Sequence, residues 1–304
     1  MIYIENKPYM SLYEFMEHED KSFPQFIESP LFACDDEKKL VKVIAEVNKL
    51  QPGYIKYVCS EVNSKYISEL KSIIEKQPVT VRNNPKIFEI ITSVTRNLGI
   101  TMPVIYTYSE EDVYDFNENS EIGILLSGNA FTMGTRDMLY VFVSDSIMEN
   151  NKLTEEEIAA LIGHEIGHAL ANHQVYSQVF LRKIIDNKAS MATIKWDEIN
   201  GLYRSNRFSR LNELTADRAA LLATRNISAV EGLMKKISEG GGWDYDHRNS
   251  THPNGKSRTE AVKLFANSTL YAHCVEQIDK VSLDKSIYPL TDKQLEKGIK
   301  KLVL

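Results

Sequence analysis

Residues 153–173 constrain the fold more than any other stretch, because they specify where a helix begins and which side of it is buried. They read LTEEEIAALIGHEIGHALANH. Thr154 is a good N-cap, and Glu157 can bond back to the N–H of the cap, which completes a capping box. The isoleucines and the leucine that follow form an apolar stripe, so we predict an amphipathic helix packed on the core. Gly163 and Gly167 each weaken a helix by up to about 1 kcal/mol relative to alanine. A close approach of the backbone beside a bound metal would be a reason to keep them.

The same stretch contains His164, Glu165 and His168 in the order H-E-x-x-H. A helix turns about 100° per residue, so side chains four positions apart leave the same face with a rise of about 6 Å. Two neutral imidazoles on one face can bind one Zn²⁺, and Glu165 can then take a proton from the water that the ion activates. This spacing is the helical signature of zinc peptidases. Two partly buried histidines with hydrogen-bonded partners are the alternative interpretation.

Composition narrows the class of protein. The chain has 304 residues, a net charge of −6, 43% hydrophobic and 26% charged residues, which is ordinary for a soluble globular protein. The negative charge argues against nucleic acid as a partner. No uninterrupted apolar run reaches the length of about 18 residues that a membrane span needs. Cys34, Cys59 and Cys274 fit neither a disulfide framework nor a zinc ribbon, which indicates reduced thiols in a cytoplasmic protein.

We expect an α+β fold with three regions. Residues 1–80 form an N-terminal helical accessory region in which we find no chemistry, and which is either a helical cap or a substrate-side wall. Residues 81–270 form a mainly helical, zincin-type catalytic domain with a small mixed β-sheet. Its strands are predicted at 102–108, 122–126 and 139–143 from their β-branched and aromatic residues. Residues 271–304 are expected to form a polar tail with a short amphipathic end.

A catalytic zinc keeps three protein ligands and one open position, so one more ligand is needed. A metzincin would supply a glycine and a third histidine at the positions that Ala171 and Gln174 occupy here. The other solution is a carboxylate from a second helix, predicted at 205–224. Glu213 and Asp217 share one face of it, so Glu213 can bind the metal while Asp217 accepts a hydrogen bond from a ligand histidine. An exposed pair of acids on a helix stays the alternative.

The order of the motifs resembles a known family. H-E-x-x-H is followed by E-x-x-x-D in an alanine-rich helix and then by His252-Pro253-x-x-x-x-Arg258. Over residues 84–266 the chain is similar to the gluzincin family of the HtpX proteases and the CAAX prenyl endopeptidases. The resemblance implies a zinc metalloendopeptidase that holds one Zn²⁺ per chain and acts on a peptide or protein substrate.

The resemblance also implies a role for each residue of the metal site. It makes zinc ligands of His164, His168 and Glu213. It makes Glu165 the general base and then the general acid of peptide hydrolysis, and Asp217 the residue that orients a ligand histidine.

Substrate contacts are implied at Asn129 and Ala130, which would lie on an edge strand that pairs with an extended peptide. On its own this tripeptide, with Phe131, is only a turn that enters a strand. His173 is expected to have a structural or supporting role.

A loop and the start of the next helix supply the remaining candidates. By the resemblance, His252 is a candidate for stabilising the oxyanion and Arg258 a candidate for holding Asp217 or the loop. Tyr245 and His247 are alternative oxyanion donors.

The chain departs from the family in one respect. The HtpX and CAAX proteases are membrane-embedded, whereas residues 174–204 are charged here. We therefore expect a soluble, cytoplasmic member without a membrane span. The rival hypothesis is a zinc-stabilised binding or regulatory protein that has the same fold and cuts nothing.

Overall fold

The computed structural model describes residues 29–47, 69–109, 111–112, 130–134, 139–149, 153–177, 207–239 and 252–303. A 3₁₀ turn at Lys285–Ile287 lies near the C-terminus. In chain order the other elements of the described part are α1 (Asp35–Val47), α2 (Lys71–Ile74), α3 (Pro85–Leu98), β1 (Val104–Tyr108), β2 (Ala130–Gly134), β3 (Leu139–Ser144), α4 (Ser146–Glu149), α5 (Glu155–Leu170), α6 (Arg207–Thr224), α7 (Ile227–Glu239), α8 (Gly255–Ala266), α9 (Thr269–Asp279) and α10 (Asp292–Val303).

The three described strands form one mixed sheet in the order β1-β3-β2. β1 runs parallel to β3 and β2 runs antiparallel to it, with Ala130 opposite Val143. Together with the many helices this confirms the α+β class. β2 is an edge of the sheet within the described part of the chain and packs beside α5. The strand predicted at 122–126 lies outside the described residues.

The local signals in the sequence place the helices correctly. The capping box of α5 is present: the Thr154 hydroxyl accepts from the Glu157 N–H, and the Glu157 carboxylate accepts from the Thr154 N–H. Asn84 caps α3, and Gly99 ends that helix in the left-handed conformation at φ 67°. The amphipathic helix predicted within residues 153–173 is therefore confirmed.

α5 and α6 pack against each other through glycine and alanine. A Cβ at Gly163 would lie 2.4 Å from the Ala223 Cβ, and one at Gly167 would lie 2.6 Å from the Ala219 Cβ and 3.0 Å from the Ala216 Cα. Real Cβ atoms do not approach that closely, so glycine is required at both positions. The close backbone approach expected from the sequence is thus found between these two helices.

The C-terminal part of the chain differs from the expected polar tail. Residues 271–304 include most of α9 and all of α10, and the amphipathic end at α10 was predicted correctly. Leu295, Ile299 and Val303 are buried in the main hydrophobic core, so the description as a polar tail is wrong. The division of the chain into three regions stays a prediction. Among the described helices, none is both long enough and apolar enough to cross a bilayer.

Candidate metal centre

Two helices bring three metal-ligating side chains together. α5 carries His164 and His168, and α6 carries Glu213. One ligand atom of each lies within 4.8 Å of the ligand atoms of the other two. The exposed fraction of His164 is only 6% and that of Glu213 only 8%, so both donors are withdrawn from water.

The spacing of these ligand atoms fits one small cation. The two Nε2 atoms of His164 and His168 are 3.1 Å apart. The carboxylate of Glu213 lies 3.5 Å from His164 Nε2 and 3.4 Å from His168 Nε2. Tetrahedral zinc with bonds of about 2.0–2.1 Å places its ligands about 3.3–3.4 Å apart. The arrangement is therefore of the right size for Zn²⁺ with two imidazoles and one carboxylate.

A buried ion pair holds the back of the site. Asp217 is fully buried, and its Oδ1 lies 3.0 Å from His164 Nδ1. Arg258, from α8, donates from Nε to Asp217 Oδ2 at 2.8 Å and also bonds to Oδ1. The remaining nitrogen of the same guanidinium lies 3.2 Å from Glu213 Oε2. One arginine thus contacts both carboxylates of α6, and one of these carboxylates bonds to the candidate ligand His164.

The charges of the site favour a cation. Burial would raise the pKa of Glu213, but the hydrogen bond from His164 and the nearby charge of Arg258 hold it well below its usual value. Burial lowers the pKa of His168, so this imidazole is neutral. Burial alone would lower the pKa of His164, yet the carboxylates of Asp217 and Glu213 raise it to about 9. Binding of a metal at His164 would therefore release a proton.

Glu165 faces a cavity of about 350 Å³ in front of the ligands. Burial raises the pKa of its carboxyl to about 7, against the lowering effect of His164. Such a group can both accept and return a proton near neutral pH. The cavity is lined on one side by the apolar Leu233, Met234 and Ile237 of α7.

Two of the other predicted site residues, His252 and Ala130, lie in the described part of the chain. The side chain of His252 is 44% exposed, lines the cavity and has its Nε2 3.4 Å from Glu213 Oε1. Ala130 is the first residue of β2, and Thr132 of that strand donates to the carbonyl of Glu165 at 2.8 Å. The strand is thereby attached to α5 beside the site. Asn129, Tyr245 and His247 lie outside the described residues.

The side chain of Glu37, which the sequence-based prediction did not include, lies near the site. His173, buried next to His168, has its Nε2 3.2 Å from Oε1 of Glu37, which is 0% exposed. Glu37 lies on α1, in the region where the sequence indicated no chemistry. Its acidic neighbours at the start of a helix look like ordinary dipole-stabilising residues, so no local signal identifies it.

Residues 82–265 of the chain match the model of peptidase family M48. The chain belongs to this family. It is the gluzincin metallopeptidase family of the HtpX and CAAX proteases, so the resemblance seen in the sequence is confirmed. Members of peptidase family M48 are metallopeptidases, which agrees with a cavity that leads to a candidate metal site.

Proposed function

We propose that this member of peptidase family M48 is a zinc-dependent endopeptidase. The observation that carries the proposal is the convergence of His164, His168 and Glu213 at the spacing of a tetrahedral zinc site, with an open cavity on the side of Glu165. Two imidazole nitrogens and one carboxylate oxygen are a donor set of catalytic zinc, which leaves a coordination position free. We assign one Zn²⁺ to each chain.

The chemistry divides between the ion and the protein. Bound zinc would polarise the scissile carbonyl and lower the pKa of water toward about 7. Glu165 takes a proton from the attacking water at its carboxylate and returns that proton to the leaving amine. Asp217 keeps Nε2 of His164 directed at the metal by bonding Nδ1, and Arg258 keeps Asp217 in place.

The substrate is proposed to lie along β2. This strand is an edge within the described part of the sheet, and its Thr132 is bonded to the backbone of α5. An extended peptide can add to such an edge through main-chain hydrogen bonds, with Asn129 and Ala130 at the start of the contact. The apolar cavity wall formed by α7 would then receive side chains of the peptide.

We also assign to His252 the stabilisation of the oxyanion. Its side chain is partly exposed, lines the cavity and lies next to Glu213 rather than among core residues. Replacement of His252 by alanine should lower kcat by about 10²–10³ while zinc stays bound. An unchanged kcat would assign the oxyanion to another donor.

Location and organisation belong to the same proposal. The described cysteines, Cys34 and Cys274, are buried free thiols, and burial raises the pKa of each to about 12. Unreactive thiols that form no disulfide fit a reducing compartment, so we propose that the protein acts in the cytoplasm. We propose residues 81–270 as the peptidase domain and residues 1–80 as an accessory region.

The experiment that tests this function compares two glutamine variants on one helix. Glu165→Gln should retain one zinc per chain, and its rate of peptide cleavage should be lower by about 10²–10⁴-fold. Glu155→Gln is the matched control, because Glu155 is on the same helix but is exposed and paired with Lys86 at 2.9 Å. Cleavage of a denatured-protein or peptide library is followed by mass spectrometry with and without chelator.

The outcomes separate the endopeptidase from the rival binding protein. Undiminished cleavage by Glu165→Gln would refute the proposed mechanism. A wild-type protein that binds one zinc but produces no cleavage products would favour the binding or regulatory role. A purely structural zinc is usually closed by four protein ligands, whereas the described residues bring three together here.

A further inference from the structure

We propose that Glu37 is a positioning residue of the metal site and fixes the ligand His168 through the ring of His173. The inference rests on the proposed zinc site. Glu37 lies on α1, outside the residues that match the family model, and 136 positions away from His173 in the sequence. A segment beyond the matched residues would thus complete the site.

The geometry forms a continuous chain of hydrogen bonds. Nε2 of His168 faces the other ligand atoms, and its Nδ1 lies 2.7 Å from Nδ1 of His173. The opposite nitrogen of His173 lies 3.2 Å from Glu37 Oε1. The chain runs without a gap from the Glu37 carboxylate through the imidazoles of His173 and His168 to the metal position.

The proton positions in this chain follow from the metal. A metal at Nε2 of His168 leaves the proton of that neutral ring on Nδ1, which therefore donates. His173 must accept at its Nδ1, so its own proton is on Nε2 and points at Glu37. An ionised carboxylate is an acceptor only, so Glu37 accepts this proton and selects this tautomer of His173.

Glu37 is itself held in place. The Thr215 hydroxyl donates to Glu37 Oε2, and the Cys34 N–H donates to that hydroxyl at 3.0 Å. Each carboxylate oxygen thus has a donor in a fully buried position, where an unpaired charge would be costly. Thr215 lies between Glu213 and Asp217 in the sequence of α6, so the helix that supplies the third ligand also fixes Glu37.

The two ligand histidines are then supported in parallel ways. Asp217 bonds directly to Nδ1 of His164, and Glu37 reaches Nδ1 of His168 through His173. Groups that orient ligands in this manner are worth about 10–100-fold in metal affinity.

The test measures zinc affinity and proton positions rather than cleavage. Glu37→Gln has the same shape without the charge and should raise the Kd for zinc by about tenfold, measured by competition with a chromogenic chelator. Asp36→Asn is the matched control, since Asp36 is on the same helix but pairs with Arg207 at 2.6 Å. Its zinc affinity should equal that of the wild type.

A double-mutant cycle separates positioning from a purely structural role. In a His173→Phe background, Glu37→Gln should no longer change the Kd for zinc, because the connecting ring is absent. If Glu37→Gln still weakens zinc binding tenfold in that background, Glu37 does not act through His173 and the proposal is overturned. A Kd within twofold of the wild type for the single variant overturns it as well.

The tautomer of His173 is measurable in the unmodified protein and does not depend on the folding of any variant. In the zinc-loaded wild type, ¹⁵N NMR of the imidazoles should show the proton of His173 on Nε2 and that of His168 on Nδ1. A proton on Nδ1 of His173 contradicts the proposal. Failure of the wild type to bind zinc at all would overturn the proposed function too, whereas normal zinc binding with an unaffected Glu37→Gln variant overturns this inference alone.

Discussion

Gly163 offers the most direct test of how the two ligand-bearing helices are packed. A Cβ at this position would lie 2.4 Å from the Ala223 Cβ and 3.2 Å from the Ala220 Cα. Carbon atoms in unstrained contact are about 3.5–4.0 Å apart, so α5 and α6 would have to separate by roughly 1 Å in a Gly163→Ala variant. The proposed ligands are divided between these helices, and the separation would move Glu213 away from His164.

The size of the effect follows from two opposing terms. Alanine favours the helix by about 1 kcal/mol relative to glycine. Overpacking of a core contact costs about 1–3 kcal/mol, so the free energy of unfolding of Gly163→Ala should fall by up to about 2 kcal/mol. The zinc affinity should fall by about tenfold or more, as it does when the groups that orient the ligands are disturbed.

Urea unfolding of the metal-free protein and chelator competition measure the two effects separately. The double variant Gly163→Ala/Ala223→Gly moves the methyl group from one helix to the other and should recover most of the zinc affinity. Gly167→Ala should be recovered less by Ala219→Gly, because its new Cβ also meets the Ala216 backbone at 3.0 Å. A Gly163→Ala protein that is as stable as the wild type and binds zinc equally well would refute the close packing of α5 on α6.

Four further outcomes can be measured. Chelation should abolish cleavage and lower the Tm. Zinc at 1,000 times its Kd should restore about 4 kcal/mol of the free energy of unfolding, measured by calorimetry. An unchanged Tm would contradict a site that binds zinc only in the folded chain. Arg258→Leu removes the guanidinium that bonds to both oxygens of the buried Asp217, and it should lower the free energy of unfolding in denaturant by about 3–5 kcal/mol. Arg258→Lys should recover only part of this loss. Thr154→Ala should cost about 1 kcal/mol by removing the cap of α5. Burial alone would raise the pKa of Glu157, but hydrogen bonds from Lys236 and the Thr154 N–H lower it. The stabilisation by Glu157 should therefore be present above its unfolded pKa of 4.5 and should be lost as the pH falls through the lower folded pKa. Glu157→Gln should remove this pH dependence, which is measured by unfolding the protein at a series of acidic pH values.

The parts of the fold that could be predicted from the sequence are those with local causes. The capping box fixed the start of α5, and the spacing of His164 and His168 follows from helical periodicity alone. The Asn84 cap and the left-handed Gly99 that end α3 are local signals of the same kind. Each of these signals acts within about four residues, which is the range over which a single sequence can be interpreted without knowledge of the tertiary structure.

What could not be predicted depends on contacts between distant segments. Glu37 reaches His173 only because α1 packs on α6, where Thr215 bonds to both the carboxylate and the Cys34 N–H. Leu270 and Cys274 of α9 are buried in the core because this helix packs on α8 and on α3 and α6, of which the last two are distant in the sequence. Their burial is set by the shape of the surface that α9 covers.

The buried charges behind the proposed ligands explain why segments distant in the sequence affect the proposed zinc site. Glu37, Asp217 and Glu213 supply three buried carboxylates, and Arg258 supplies one guanidinium, which leaves two negative charges when Glu165 is set aside. In the metal-free site a proton on His164 offsets one of them, because burial alone would lower the pKa of that ring but Asp217 and Glu213 raise it to about 9. A divalent cation offsets both. Because α1, α5, α6 and α8 must all be in place before those charges converge, zinc binding and the packing of these four helices should be thermodynamically coupled.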